Sequence, residues 1–461
     1  MVSLIDASLN PAGDTALFTD RQWLEALLRF EAGLADAQAG AGLIPPTAAA
    51  AISGACAAVE MDRAEFIECS RRTGALGIGL VDPLKAYLAL HAPEALPYLH
   101  WGATTQDAVD TAHALLTKAA LSALLEELEA MERALCTLAR DHAATPMLAR
   151  SLMQPAQLTS FGLKCAQSAA AFRRSINQFA VLAPRALCVQ LGGAVGNRAA
   201  LGKQAADVER RLAGALGLWV CGYSWHTQRD AWIRLGMEAA VCAGSMAKLA
   251  RDWSLMSQFE VGELAEATRG RTSSAMPHKR NPVYCMQAIA QTQAVPGLAA
   301  ALLGAMAQAH ERALGEWQSE LTMWAPLWRH VHGAAAALRR AAEGLRINTV
   351  RMQAHVDALH EVVFSEACAK AITPVAGQGP AQQAVEGLAA QALAQGVPLS
   401  GLLLNWVEAH YGALQAESVA PALARATDQQ RAVDGSAACC ALLLETLEAP
   451  SHTRLEPEMT P

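Results

Sequence analysis

Aromatic side chains are scarce: 8 Phe, 5 Tyr and 10 Trp make up only 5% of 461 residues. Sheet-rich folds lean on aromatic and β-branched residues, so the abundant Ala, Leu, Glu, Arg and Gln favour helices instead. A basic excess is missing too, with 36 Lys and Arg against 43 Asp and Glu and a net charge of -7. Nucleic acid or an anionic membrane surface calls for the opposite balance, so neither is expected as a partner. No apolar run is long enough to span a bilayer, and the richest stretch, 295–306, holds two glycines and a proline. The eleven cysteines form no CxxC pair. Scattered among Ala and Leu, they read as buried free thiols of a reduced compartment. The opening MVSLIDASLNPAGD lacks the basic stretch and apolar run of a signal peptide. A soluble, cytoplasmic protein is expected.

Familiar cofactor motifs are absent as well: no Walker A loop, no GxGxxG and no GxSxG elbow. His360-Glu361 and His310-Glu311 each lack a second His at HExxH spacing, and His330 and His332 cannot share a helical face. No cofactor and no metal is expected.

What remains is helical texture. Between Ala103 and Thr145 there is no Gly or Pro, and Leu121, Leu124, Leu125, Leu128, Met131, Leu135 and Leu138 recur at helical spacing. Shorter helices are predicted at Asp20–Gly40 and Thr47–Val59, followed by a glycine-rich turn over Gly74–Gly79. Long ones are predicted at Pro155–Leu182, Lys203–Leu216, His226–Val261, Val283–Ala309 and Glu316–Ala342. Helices shorten again after Ile347, with a Pro/Gly break at Thr373–Pro380, and the last residues, SHTRLEPEMTP, read as a frayed tail. Long Ala-rich helices with several apolar faces imply a bundle that packs on partner subunits. The expectation is an all-α chain of three helical domains: 1–104, a central long-helix bundle 105–345, and 346–461.

One segment breaks this texture: Arg269-Gly-Arg-Thr-Ser-Ser-Ala-Met-Pro-His-Lys-Arg-Asn-Pro282. Five of its residues are basic or potentially so, in an acidic protein. Pro277 and Pro282 forbid a continuous helix and Gly270 offers a hinge. A mobile loop of this kind suits capture of an anionic substrate, and equally describes a solvated basic loop.

The stretch from Ser273 to Pro282 resembles the signature loop of the fumarase/aspartase superfamily, SSxMPxKxNP. Two further segments agree in order: His100-Trp-Gly-Ala-Thr-Thr-Gln-Asp-Ala-Val-Asp-Thr111, and Arg150-Ser-Leu-Met-Gln-Pro-Ala156 followed by Thr159-Ser-Phe-Gly162. Gly192-Gly-Ala-Val-Gly196, Trp225-His-Thr-Gln-Arg-Asp230 and His310-Glu-Arg-Ala-Leu-Gly315 look most like its 3-carboxy-cis,cis-muconate cycloisomerase branch. The resemblance implies that Ser273 is the catalytic proton-transfer residue. It implies that Lys279 and Asn281 bind the neighbouring carboxylate and its aci-form, and that Thr104 and Thr105 hold a second carboxylate. Gln154, Gln228 and Arg312 would line the pocket, with Ser274 and His100 as further binding candidates. It also implies a homotetramer whose sites are assembled from three subunits around a small polycarboxylate. From the residues themselves, Thr104 and Thr105 could instead cap the long helix they precede, and both roles can hold together because helix N-termini bind anions.

Two departures bear on chemistry. The histidine that protonates the leaving group in many members is Leu152 here, and the glutamate that orients it is Met286. A carboxylate, with a conjugate-acid pKa of about 4, leaves or adds without such help. The expected reaction is therefore an intramolecular lyase step, carboxylate addition to a muconate alkene giving a lactone. The alternative is elimination of an amine or a good leaving group such as nitrite from a substituted succinate, releasing fumarate. A catalytically retired scaffold is a third reading, opposed by the retained Ser273, Lys279 and Asn281. Where cycloisomerase relatives show TGNxxIPLV, this chain has Ala75 for the Asn and Gly79 for the Pro, with Arg71 and Arg72 nearby as compensating cations. Thr272 replaces the glycine before the loop serines and is expected to stiffen the loop.

Overall fold

In the computed structural model, which describes residues 4–9, 17–74, 76–267, 276 and 278–448, the chain is a helical protein with four short strands. The amino-terminal helices are α1 (Leu4–Leu9), α2 (Asp20–Gly40), α3 (Pro46–Ala58), α4 (Arg63–Thr73) and α5 (Leu76–His91). The bundle begins with α6 (Thr105–Asp141), continues through a hairpin of β1 (Pro146–Ser151) and β2 (Gln154–Ser160), and returns along α7 (Phe161–Ala186). After α8 (Ala205–Leu216) come α9 (Asp230–Met256), β3 (Leu264–Glu266), α10 (Val283–Ala305) and α11 (Glu316–Glu343). Strand β4 (Leu345–Ile347) pairs antiparallel with β3. The carboxy-terminal helices are α12 (Thr349–Asp357), α13 (Ser365–Ala376), α14 (Gln378–Gln395), α15 (Leu399–Tyr411), α16 (Ala413–Ala426) and α17 (Gln429–Glu448).

Helix α2 takes the bounds its sequence predicts, because Thr19 and Gln22 close a capping box before Asp20. Along α6 the predicted stripe is inside: Leu121, Leu124, Leu125, Leu128, Met131 and Leu135 are all buried. Two expectations fail. The predicted Gly74–Gly79 turn ends at Gly74, whose left-handed φ of 67° closes α4; Gly77 and Gly79 lie inside α5, where glycine permits close packing. The predicted helix from Pro155 begins only at Phe161. The preceding residues pair as β2 with β1, Ser151 opposite Gln154. Leu152 and Met153 form the tip with φ of 52° and 67°, the geometry a two-residue hairpin turn demands. Ala75, Arg269–Ser274 and the 451–461 tail lie outside the described residues.

The long helices alternate in direction. At the start of α6, Asp110 pairs with Arg229, which also pairs with Glu320, and this places the starts of α9 and α11 there. At its end, Gly162 N–H donates to His142 O, so α7 begins there, and Lys164 pairs with Asp252 near the end of α9. Helix α10 runs back, and Ala307 beyond its end bridges Gln228. One apolar core runs from Phe18 to Met352 and takes in Cys440, Leu444 and Leu447 of α17; a second is built from α13 to α16. The scarce aromatics concentrate in the first core, where Trp232 stacks on Trp324 with centroids 4.1 Å apart. His113 is sealed among them, and burial pushes its imidazole down to about 3.

Contrary to the expectation that no apolar run could span a bilayer, helix α10 is long and apolar enough by length and composition, because its Gly and Pro do not interrupt the helix. Of its most apolar window, 33% is buried in one chain. Cys285, Ala288, Val295 and Leu302 of this helix face the bundle, while Leu303 and Met286 are about half exposed.

Candidate active site

The 37 residues of α6 set the scale of the site, separating the two ends of the bundle by about 55 Å. At its start, which we call the proximal end, Thr104 is the extended N-cap residue. Asp107, fully buried, organises what surrounds it. Its Oδ1 accepts from Gly192 N–H at 2.8 Å and lies 2.7 Å from His226 Nε2. Its Oδ2 accepts from Thr104 N–H at 3.0 Å and Gly193 N–H at 2.9 Å. Three separate loops are thereby drawn onto one carboxylate. Gly192 is required there, since a Cβ would come 2.4 Å from Ser224 Oγ. Gly77 is required likewise, because a Cβ would sit 2.4 Å from Thr105 Oγ1.

Arg312 joins this end. It donates to Gln106 Oε1 at 3.0 Å and to the main-chain carbonyls of Gly193 and Ala194. These acceptors are neutral, so the guanidinium charge is left available to an anion. His100 is held 2.6 Å from Glu31 Oε1. Gln228 is exposed, next to Arg229, whose buried guanidinium is gripped by Asp110, Glu320 and the face of Trp225. Burial raises Glu320 above the ordinary carboxylate range, partly offset by Arg229.

The other predicted residues lie at the distal end. Arg150 donates to both oxygens of buried Glu263 at 2.6 and 3.0 Å, fixing the hairpin to the chain before β3. The tip beyond it is exposed, with Leu152 96% accessible, and Gln154 is exposed too. Glu266 accepts from Tyr284 and Cys285 N–H at 2.9 Å each, so an anion caps the start of α10 and clasps the two ends of the signature loop. Lys279, exposed, and Asn281, half-buried, lead into that helix. Ser273 and Ser274 lie outside the described residues.

One chain therefore carries His100, Thr104, Thr105, Gln228 and Arg312 at the proximal end, and Gln154, Lys279 and Asn281 at the distal end. Between Lys279 and Asn281 and the proximal group runs the length of α10, about 35 Å. A family model described as lyase matches residues 14–297. The chain belongs to the lyase family. This lyase lies in the fumarase/aspartase superfamily. It is 40% identical over 394 residues to the 3-carboxy-cis,cis-muconate cycloisomerase of Bradyrhizobium diazoefficiens, covering 85% of this chain and 87% of the relative. It is 36% identical over 401 residues to the nitrosuccinate lyase of Streptomyces davaonensis, covering 84% of each. Among solved structures, the 3-carboxy-cis,cis-muconate lactonizing enzyme of Pseudomonas putida superposes with a TM-score of 0.84 at 34% identity, covering 95% of this chain and 96% of that one.

Asp107, His226, Glu31 and Arg229 had no role in the sequence reading. Asp107 and His226 lie inside matching segments, but only the fold shows that residues 119 apart share one buried contact.

Proposed function

We propose that this lyase is a cytoplasmic 3-carboxy-cis,cis-muconate cycloisomerase of aromatic-acid catabolism, acting as a homotetramer of three-domain subunits. The proximal end of one copy supplies Thr104, Thr105, Arg312 and His100 to the substrate carboxylates. A second copy's signature loop supplies Lys279, Asn281, Ser274 and Ser273, and a hairpin tip brings Gln154. The unburied apolar face of α10 supports such association, since apolar surface of that extent is stabilised by burial rather than by water.

The observation that carries the reaction type is Leu152 with Met286. Both occupy positions of the proton-delivering pair, both are apolar, and both lie at the distal end. An internal carboxylate adds to the alkene as an anion and needs no acid on its side. The one proton required goes from Ser273 to the neighbouring alkene carbon, the carbon α to the carboxylate whose aci-form develops. Charge developing there as an aci-carboxylate is met by Lys279 and Asn281, and the helix start at Thr104 with Arg312 fixes the other carboxylates. Run in reverse, Ser273 takes the proton and the carboxylate departs unaided.

Purified enzyme is expected to bleach the muconate absorbance of 3-carboxy-cis,cis-muconate, and no change in absorbance would reject the reading. A second reading is favoured by the same missing acid and by the nitrosuccinate lyase relative: nitrite leaves as readily as a carboxylate. Fumarate released from nitrosuccinate, with no turnover of the muconate, would establish it instead.

A further inference from the structure

We propose that Glu31 is a positioning residue that holds His100 in its charged form, and that His100 takes the carboxylate by which a tricarboxylate differs from a dicarboxylate. This rests on the reading given under Proposed function. His100 Nδ1 is 2.6 Å from Glu31 Oε1, and the Glu31 side chain is 1% exposed. The second carboxylate oxygen, Oε2, is buried with no hydrogen-bond partner. A positive charge beside it compensates the burial of a carboxylate so placed.

The His100 side chain keeps 17% exposure. With Nδ1 committed to Glu31, its Nε2 makes no hydrogen bond to protein among the described residues, which leaves one donor for a ligand. Its backbone has φ 54°, a left-handed conformation that persists only where neighbours enforce it. Helix α2 does so twice, through Glu31 on the ring and through Gln38 Nε2, which donates to Trp101 O at 2.6 Å.

Three charged groups act on the ring: Glu31 of α2 in direct contact, and Asp107 of α6 and Lys85 of α5 through their charge. Burial opposes protonation, and so does Lys85, but the charge and hydrogen bond of Glu31, with Asp107, outweigh them and raise the imidazole above its ordinary value. The cation therefore persists to higher pH than a free histidine, and is lost as pH rises through that raised value. Counting recognition groups gives three: Lys279 with Asn281, Arg312 with the α6 start, and His100. A dicarboxylate needs only two.

The test is titration calorimetry of the full-length enzyme with propane-1,2,3-tricarboxylate and with glutarate, for wild type and Glu31→Gln. Glutamine keeps the shape and an acceptor for Nδ1–H but removes the charge. The variant is expected to bind the tricarboxylate about tenfold more weakly, leave glutarate within about twofold, and lose tricarboxylate affinity at lower pH. His100→Asn, which tolerates the left-handed backbone, is expected to remove the same increment and the pH dependence, and decides the matter if Glu31→Gln unfolds. Equal losses for both probes, an unmoved pH dependence, or no preference for the tricarboxylate in the wild type would overturn the proposal. A Glu31-dependent preference in an enzyme that leaves the muconate untouched would uphold it and reject the proposed reaction.

Discussion

His226 Nε2 and Asp107 Oδ1 lie 2.7 Å apart, and neither side chain is more than 3% exposed. The contact closes the proximal corner, because the same carboxylate also receives main-chain N–H groups from Thr104, Gly192 and Gly193. A buried carboxylate held by four donors makes a strong polar clasp.

Asp107→Asn would present an amide N–H₂ to donors that expect an acceptor. The cost expected is about 3–5 kcal/mol, that of breaking a buried charged network. It is read as a lowered unfolding temperature together with lost activity. An unchanged unfolding temperature would show that the clasp contributes little.

Gly77→Ala tests the packing of α5 on the proximal corner. The new methyl would have to displace Thr105, whose Oγ1, Cβ and Cγ2 all lie within 2.9 Å of the added atom. Overpacking of this kind costs about 1–3 kcal/mol. Steady-state kinetics should register it mainly as a raised KM, since Thr105, which we propose holds a carboxylate, is moved. A variant with wild-type KM would detach Thr105 from binding.

These two sites also mark where sequence reasoning reached its limit. The stripe from Leu121 to Leu138 is a strictly local pattern, so α6 was legible. The bounds of α2 were legible too, and the structure adds the Thr19–Gln22 capping box that sets its start. Gly77 and Gly79 read as a turn because what they relieve, Thr105 and Phe66, is brought there only by tertiary packing. The β1–β2 hairpin was missed for a related reason. Strand β2, Gln154–Ser160, has no apolar alternation and is exposed along most of its length, and its pairing comes from the turn and from Arg150 on Glu263. Motif resemblance singled out Thr104, Lys279 and Arg312 as candidates, but not that the first and last share one end of the bundle while Lys279 sits at the other.

Restoring the family's proton-delivering pair, Leu152→His with Met286→Glu, is expected to change the rate of muconate lactonization by no more than about twofold. Addition of a carboxylate leaves that pair nothing to protonate. A large gain in kcat would contradict the leaving-group argument and point to a substrate whose departing group needs an acid.

The separation of the two residue groups makes the decisive experiment one of complementation. Arg312→Ala disables the proximal end, Lys279→Ala the distal end, and each variant alone should be inactive. If a site draws its two halves from different copies, oligomers mixed from equal amounts of both variants will contain some corners with both halves intact, and should recover roughly a quarter of wild-type activity. Mixed oligomers that remain as inactive as either parent would contradict the account.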